Sequence, residues 1–199
     1  MSIGEYLSAL EAAGAAAACL TNHGDVGDYE EMAALAPESL AVIPGVEISS
    51  EEGDFIVFSA GLGYLRSLEA LQGLPEMQAR PEGTAIVWVH PFAGIPGGSG
   101  ISEEFIRHVA RRVDGIEVYN GNWPDDKASV LAREIAAAFG LAELGGSDAH
   151  QRRALYRCWT EVESAGSAGE LIEAIKAKAT VADPGAGSGK RSNTLPRFW

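Results

Sequence analysis

The chain has 199 residues, a formal net charge of −13 and 46% hydrophobic residues, which is enough for one domain with a sizeable core. The strong negative charge argues against sequence-independent binding of nucleic acid, which needs a basic face. No apolar run approaches membrane-spanning length and no signal peptide is visible, so we expect a cytoplasmic protein without a membrane partner. Cys19 and Cys158 lie in apolar runs and fit reduced core residues.

Apolar runs typical of strands alternate with segments of helical pattern along the chain. Helices are predicted at residues 2–14, 28–35, 65–83 (loosely), 102–113, 125–139 and 167–179. Strands are predicted at residues 15–20, 40–48, 55–60, 85–89, 115–119, 141–144 and 158–162, with a polar turn at 51–54. Several of these strands are apolar throughout, which is typical of a mainly parallel sheet covered by helices. The sequence therefore predicts an α/β fold.

The end of the chain differs in composition from the rest. Residues 183–189 are rich in Pro, Gly and Ser, and residues 190–199 carry three basic residues and no acidic one, ending in Phe198-Trp199. We therefore predict a folded domain over residues 1–183 and a flexible basic and aromatic tail over residues 184–199.

Polar side chains that suit metal ions stand where several predicted strands end. They are His23, Glu47, His90, Asn120, Asp148 and His150, and they include three of the four histidines. The carboxyl ends of parallel strands are where α/β barrels place their active sites. Carboxylate oxygen and imidazole nitrogen both suit zinc, manganese or iron. The joint pattern therefore predicts a site for a divalent metal.

Each of these residues has a plainer interpretation when it is taken alone. His23 fits a turn residue bonded to nearby backbone, and His90, which precedes a proline, fits a buried hydrogen-bonded histidine. Glu47 fits an ion pair with an arginine. A carboxylate at the end of an apolar strand is costly to bury without a cation, however, and this favours a metal at Glu47.

The candidate substrate contacts are open to two interpretations. Asn120 fits a contact with substrate or a tight turn equally well. Arg152 and Arg153 follow the Asp148/His150 pair directly, where they fit either a clamp for a phosphate group or solvated surface.

Taken in order, the motifs resemble those of the PHP superfamily, named for polymerase and histidinol phosphatase. They are Thr21-Asn22-His23, Gly45-Val46-Glu47, His90-Pro91-Phe92, the run from Asp114 to Gly121, and Gly146-Ser147-Asp148-Ala149-His150. The resemblance covers roughly residues 3–183. It implies a distorted barrel of seven βα units that binds two or three divalent metals and hydrolyses phosphate esters.

Two departures from the family pattern change the expected site. The family's first strand ends in His-x-His, whereas this sequence starts at the helix after it. Either the native protein lacks that strand or this chain starts late, and for the chain as given we expect a barrel without its first strand and those ligands. The family's Thr-Asp-His also stands here as Thr21-Asn22-His23, where an amide replaces a carboxylate. The ligands that the resemblance leaves are His23, Glu47, His90, Asp148 and His150, which suit one ion, or two if waters complete the shells.

We therefore expect a metal-dependent phosphoesterase that hydrolyses a small phosphate ester with a metal-activated water. Glu47 and Asp148 are the expected catalytic carboxylates, and Asn120, Arg152 and Arg153 the expected substrate contacts. The alternative is a degenerate, catalytically weak barrel that serves as a binding or interaction module. The reason for this alternative is the expected open sheet edge beside residues 15–20, which would suit pairing with a second copy of the chain.

Overall fold

The computed structural model of the chain describes residues 2–68, 79–151, 154–155, 157–164, 166–185 and 197–198. Within them the helices are α1 (Ile3–Ala12), α2 (Tyr29–Leu35), α3 (Leu62–Leu68), α4 (Glu103–Ala110), α5 (Asp126–Phe139) and α6 (Ala168–Ala177). The strands are β1 (Ala17–His23), β2 (Ala41–Ser50), β3 (Gly53–Ser59), β4 (Thr84–Val89), β5 (Gly115–Asn120), β6 (Ala142–Gly146), β7 (Trp159–Val162), β8 (Thr180–Asp183) and β9 (Arg197–Phe198).

The strands form one sheet in the order β6-β5-β4-β3-β2-β1-β9-β7-β8. Strands β1, β2, β4, β5 and β6 all run in one direction, whereas β3 runs against its neighbours β2 and β4. Strand β7 is likewise antiparallel to β8 and β9. The carboxyl ends of five strands and the amino end of β3 therefore lie at one edge of the sheet, which we call the upper rim.

The sheet curls until strands from its two ends meet. The Thr160 hydroxyl on β7 donates to the Gly145 carbonyl of β6 at 2.8 Å and accepts from the Gly145 N–H at 3.0 Å. The Thr180 hydroxyl on β8 donates to the carbonyl of Glu143 at 2.7 Å. Gly145 permits this approach, because a Cβ there would lie 2.6 Å from the Trp159 carbonyl oxygen.

Different helices cover the two faces of the curled sheet. Helices α3, α4 and α5 pack on the convex face, in a buried cluster that includes Phe55, Trp88 and Ile116. On the concave face, Leu171 and Ile175 of α6 belong to a second cluster with side chains of β2, β4 and β6. Helix α6 thus fills the concave face below the upper rim, and burial of these apolar side chains is the main stabilising term.

The predicted α/β class is confirmed. Each predicted strand is present to within a few residues, although β8 and β9 were not predicted. The order of elements along the chain departs from a regular βα repeat, because β2 and β3 form a hairpin with no helix between them. Helix α3 is described as far as Leu68, and residues 69–78 of the predicted helix 65–83 lie outside the described residues.

Little of the predicted tail belongs to the part of the chain that the structure describes. Residues 186–196 and 199 lie outside it. Arg197 and Phe198 form β9, which takes a place in the sheet between β1 and β7. None of the described helices is long and apolar enough to cross a membrane.

A buried ion pair connects three strands near the edge of the sheet opposite the upper rim. The Asp114 carboxylate accepts from the Arg80 guanidinium at 2.5 and 2.9 Å and from the Ile86 N–H at 2.8 Å, and both charged side chains are only 13% exposed. The Asp114 backbone also bonds Ile86 of β4 and Ala142 of β6. Asp114, which directly precedes β5, therefore holds β4, β5 and β6 in register.

We predict that Asp114→Ala lowers the free energy of unfolding by about 3 kcal/mol, because the change leaves the Arg80 charge buried without a partner. Urea unfolding followed by circular dichroism measures the effect. Glu30→Ala is the matched control, since its pair with Arg66 is largely exposed and should contribute little. Equal effects of the two substitutions would contradict the structural role given to Asp114.

Candidate metal centre

The predicted metal ligands line one cavity at the upper rim. Its volume is about 590 Å³. Six predicted site residues line it, although they are far apart in the sequence: His23, Glu47, His90, Asn120, Asp148 and His150. The common direction of β1, β2, β4, β5 and β6 brings them together, because each lies at or near the carboxyl end of one of these strands.

Glu47 occupies the middle of the group. Its carboxylate is almost fully buried, with Oε1 3.2 Å from Nε2 of His90 and Oε2 3.7 Å from Nε2 of His23. The two oxygens of one side chain therefore face two imidazoles that come from opposite sides of β2. This arrangement suits a carboxylate that anchors or bridges cations.

Asp54 is a rim residue that the sequence interpretation missed. Its Oδ2 lies 3.7 Å from Nδ1 of His90, and Glu47, Asp54 and His90 each offer a ligand atom within 4.8 Å of the others. From the sequence alone, residues 51–54 fit a polar turn. Because β3 returns antiparallel from that turn, Asp54 pairs with Val89 at the rim where β4 ends. A carboxylate directly after a tight hairpin turn was the signal available in the sequence.

Glu117 is a second residue whose role the sequence interpretation missed, although it lies within a quoted motif. The side chain is buried, and Oε2 accepts from the His90 backbone N–H at 2.8 Å and from Nδ2 of Asn120 at 2.9 Å. Burial raises the pKa of Glu117 to about 7 against the opposing effect of these hydrogen bonds. Gly146 makes room for this carboxyl, because a Cβ there would collide with Oε1 of Glu117.

Backbone strain is concentrated at the rim. Of the three non-glycine residues with positive φ in the described part of the chain, two are His90 (φ 29°) and Asp148 (φ 48°). Such conformations cost free energy for residues with a Cβ and cluster at functional sites. The hydrogen bond from the His90 N–H to Glu117 helps to hold the first of these turns.

The remaining predicted ligands form an outer, more exposed group. The side chains of His23 and His150 are 60% and 62% exposed, and their ring centroids lie 6.1 Å apart. Asp148 lies between this group and the buried residues, with Oδ1 3.4 Å from Nδ1 of His150 and Oδ2 3.4 Å from Nδ2 of Asn120. Asn22 bonds Asp28 at 3.5 Å, on the outer side of His23.

Asn120 has both ends of its amide engaged. Its Nδ2 donates to Glu117 and Asp148, and its Oδ1 accepts from the backbone N–H groups of Asn122 and Trp123 at 2.8 and 2.9 Å. These bonds fit a residue that positions its neighbours better than one that contacts substrate directly. The other two predicted substrate contacts, Arg152 and Arg153, lie outside the described residues.

The cavity carries a strong excess of negative charge. Five carboxylate side chains line it, and no lysine or arginine does so among the residues that the structure describes: Asp25, Asp28, Glu47, Glu117 and Asp148. Burial lowers the pKa of His90, but the hydrogen bond to Glu47 and the charges of Glu117, Glu47 and Asp148 outweigh it and raise the pKa to about 9. Mixed oxygen and nitrogen donors in a negative cavity suit a divalent metal ion.

The fold and the site together define an α/β protein with ligands of metal-binding type at the ends of its strands. The PHP-associated family model matches residues 129–180, which include β6, β7 and α6. Together with the fold shared by the solved structures described next, this match supports a PHP-superfamily domain.

Two solved structures share the fold. One is PsfC from Pseudomonas syringae PB-5123, with a TM-score of 0.69 and 20% identity over 92% of this chain and 82% of that chain. The other, from Bifidobacterium adolescentis ATCC 15703, is provisionally named a metal-dependent phosphoesterase. Its TM-score is 0.60, with 14% identity over 76% of this chain and 83% of that chain. No curated protein matches the sequence significantly.

The two raised pKa values predict how the stability of the metal-free protein depends on pH. The folded chain holds the protons of Glu117 and His90 more tightly than the unfolded chain does. The stability from Glu117 is thus fully present below pH 4.5 and is lost as the pH rises through about 7. The stability that His90 contributes is lost as the pH rises from about 6.5 to about 9.

We therefore expect the Tm of protein treated with a chelator to fall between pH 5 and pH 9. Glu117→Gln should flatten the part of the decline below pH 7, because the amide does not titrate. It should also reduce the part above pH 7, because the charge of Glu117 is one of those that raise the pKa of His90. Calorimetry at fixed ionic strength measures both curves. A Tm that rises steadily over this range would show that neither proton is held as the geometry requires.

Proposed function

We propose that the chain is a metal-dependent phosphoesterase that hydrolyses a small phosphate ester. The observation that carries the proposal is the group of Glu47, Asp54 and His90, whose ligand atoms lie within 4.8 Å of one another at the rim. Because carboxylates line the cavity, an anionic ester would be repelled unless a cation is bound there too. The match of residues 129–180 to the PHP-associated family model and the provisional name of the Bifidobacterium protein support the same reaction class.

The proposed ligands fall into an inner and an outer set. Glu47, Asp54 and His90 form the inner set, which would hold one zinc, manganese or iron ion. His23 and His150 would hold a second ion together with Asp148, and Glu47 would be shared, because its two oxygens face His90 and His23. One or two ions are therefore proposed, with the inner set the tighter because it is the more buried.

The residues around the metal have distinct proposed tasks. When bound, the metal would polarise a phosphoryl oxygen and lower the pKa of a coordinated water. Asp148, held by Asn120 at 3.4 Å, would orient that water and accept its proton. Glu117 would fix His90 through the bond to its backbone N–H. Arg152 and Arg153, next in the sequence after the Asp148–Gln151 segment, stay the proposed clamp for the phosphate.

We also propose two further properties, one of the fold and one of the cellular location. One is the family's distorted barrel of seven βα units, which the curl of the sheet supports. The other is a cytoplasmic location, which is supported by the free thiols of Cys19 and Cys158.

A binding module is the second candidate function, and the edge of β1 favours it. On the side away from β2, the described residues pair with β1 at one position, Ala17 with Phe198. Within the described part of the chain, the backbone from Ala18 to His23 therefore has an unpaired edge, to which a second copy of the chain could add a strand. A dimer in equilibrium sedimentation, combined with no metal binding, would support this function over the phosphoesterase.

Asp54 provides the sharpest test of the inner set. We predict that Asp54→Asn weakens zinc or manganese binding at least tenfold, because the amide removes a negative charge and a ligand oxygen. Isothermal titration of chelator-treated protein measures the affinity, and circular dichroism checks the fold. Asp126→Asn is the matched control, since it makes the same change at an exposed position on α5. Equal affinities of the two variants would remove Asp54 from the site.

Hydrolysis itself is tested with metal-loaded protein and a panel of phosphomonoesters. We predict that Asp148→Asn lowers kcat by about 100-fold or more, because the amide cannot accept the water's proton. Elemental analysis should still find one ion per chain, because Asp148 is a proposed ligand of the outer ion and not of the inner one. Wild-type protein that binds no zinc, manganese or iron, or that binds metal and cleaves no ester, would reject the proposed function.

A further inference from the structure

A second, smaller cavity opens beside the metal centre. Its volume is about 260 Å³, and it shares His90, Glu117 and Asn120 with the larger cavity. The loop after β4, the loop after β5 and the first turns of α5 form the rest of its wall. The same three residues thus form a common wall between two compartments of one depression.

Trp123 is the most prominent side chain of this second cavity. It is 50% exposed, although large aromatic side chains are usually buried. Its backbone N–H is bonded to Oδ1 of Asn120, whose Nδ2 is bonded to Glu117 and Asp148. A single amide therefore fixes the backbone of the exposed tryptophan relative to the carboxylates of the metal centre.

The lining of the second cavity selects for a neutral, flat group. Apart from the shared residues, the lining is mostly apolar and includes Phe92, Pro96 and Trp123. Among the described residues it has no lysine or arginine. The Asp125 carboxylate is occupied by the backbone N–H groups of Gly97, Lys127 and Ala128. A second phosphate would find no cation there, whereas an aromatic ring would find faces to stack on.

The size of the cavity indicates part of a ligand. A volume of about 260 Å³ is smaller than the roughly 300–1,000 Å³ of sites that enclose a whole drug-sized molecule. The neighbouring cavity supplies the remaining space, so one molecule can occupy both compartments.

We propose that the second cavity binds the leaving group of the ester, and that this group carries a neutral aromatic ring that lies against Trp123. The inference rests on the proposed function, since the phosphate would occupy the metal centre. Hydrolysis forms a P–O bond to water and breaks the P–O bond of the ester. The ring-bearing alcohol then departs with a proton from the water.

Three esters of similar chemical reactivity test the preference, because each releases a primary alcohol: benzyl, cyclohexylmethyl and ethyl phosphate. We expect kcat/KM to be highest for benzyl phosphate and lowest for ethyl phosphate. Cyclohexylmethyl phosphate should fall clearly below benzyl phosphate, because it has the bulk of the ring without its flat face. Equal values for all three esters would overturn the subsite and leave the phosphoesterase intact.

Substitutions at Trp123 test the residue. Trp123→Ala should lower the benzyl-to-ethyl ratio of kcat/KM about 3- to 10-fold, the range of one aromatic contact, and Trp123→Phe should keep most of it. Val130→Ala is the control, since Val130 is an apolar side chain of similar exposure on α5 that lines neither cavity. A ratio that Trp123→Ala leaves unchanged would overturn the assignment.

A binding measurement separates this proposal from the proposed function. Benzyl alcohol, titrated into the protein, should shift the indole N–H signal of Trp123, which is assigned by its loss in Trp123→Phe. If no ester is hydrolysed, the phosphoesterase is rejected; a saturable shift of this signal then supports the ring site, and no shift overturns it.

Discussion

The crowding of negative charge at the upper rim is the constraint on which the rest of the structure depends. Glu47, Asp54, Glu117 and Asp148 converge on His90, and the described residues lining the cavity supply no lysine or arginine. Desolvated carboxylates repel one another strongly when the surroundings have a low dielectric. In the metal-free protein, burial raises the pKa of Glu117 and the neighbouring carboxylates raise the pKa of His90, so both side chains bind their protons more tightly. A divalent cation would replace those protons, so metal binding and proton release are expected to be coupled.

The topology of the sheet creates this crowding. The carboxyl ends of five strands lie at the rim, and so does the amino end of the antiparallel β3. Asp54 therefore lies close to Glu47 and His90. Helix α6 fills the concave face below, where Leu171 reaches the cavity lining. The cavity is therefore open at the rim and apolar at depth, which strengthens every electrostatic interaction between its charged groups. The Asp114–Arg80 pair at the opposite ends of the strands holds the register that this convergence needs.

The sequence predicted the strands and many of the rim residues, because each strand is a local apolar run and each rim residue stands where such a run ends. It did not predict Asp54, whose place depends on the direction of β3, and direction is decided by pairing with distant strands. It gave Glu117 no role, because an alternating pattern does not distinguish a buried carboxyl from an exposed one at the rim. The high pKa of His90 was equally out of reach, since it arises from three carboxylates that the sequence separates by dozens of residues.

Asn120 shows why an amide is required at the centre of this arrangement. A carboxylate at that position would accept the bonds from Asn122 and Trp123, but it has no N–H to donate to Glu117 and Asp148. It would also add a further negative charge to the rim. An apolar side chain would leave two backbone N–H groups without their acceptor and remove a donor from the buried Glu117. Only a neutral group that both donates and accepts can join the two compartments, and this links the carboxylate of Asp148 to the backbone of Trp123.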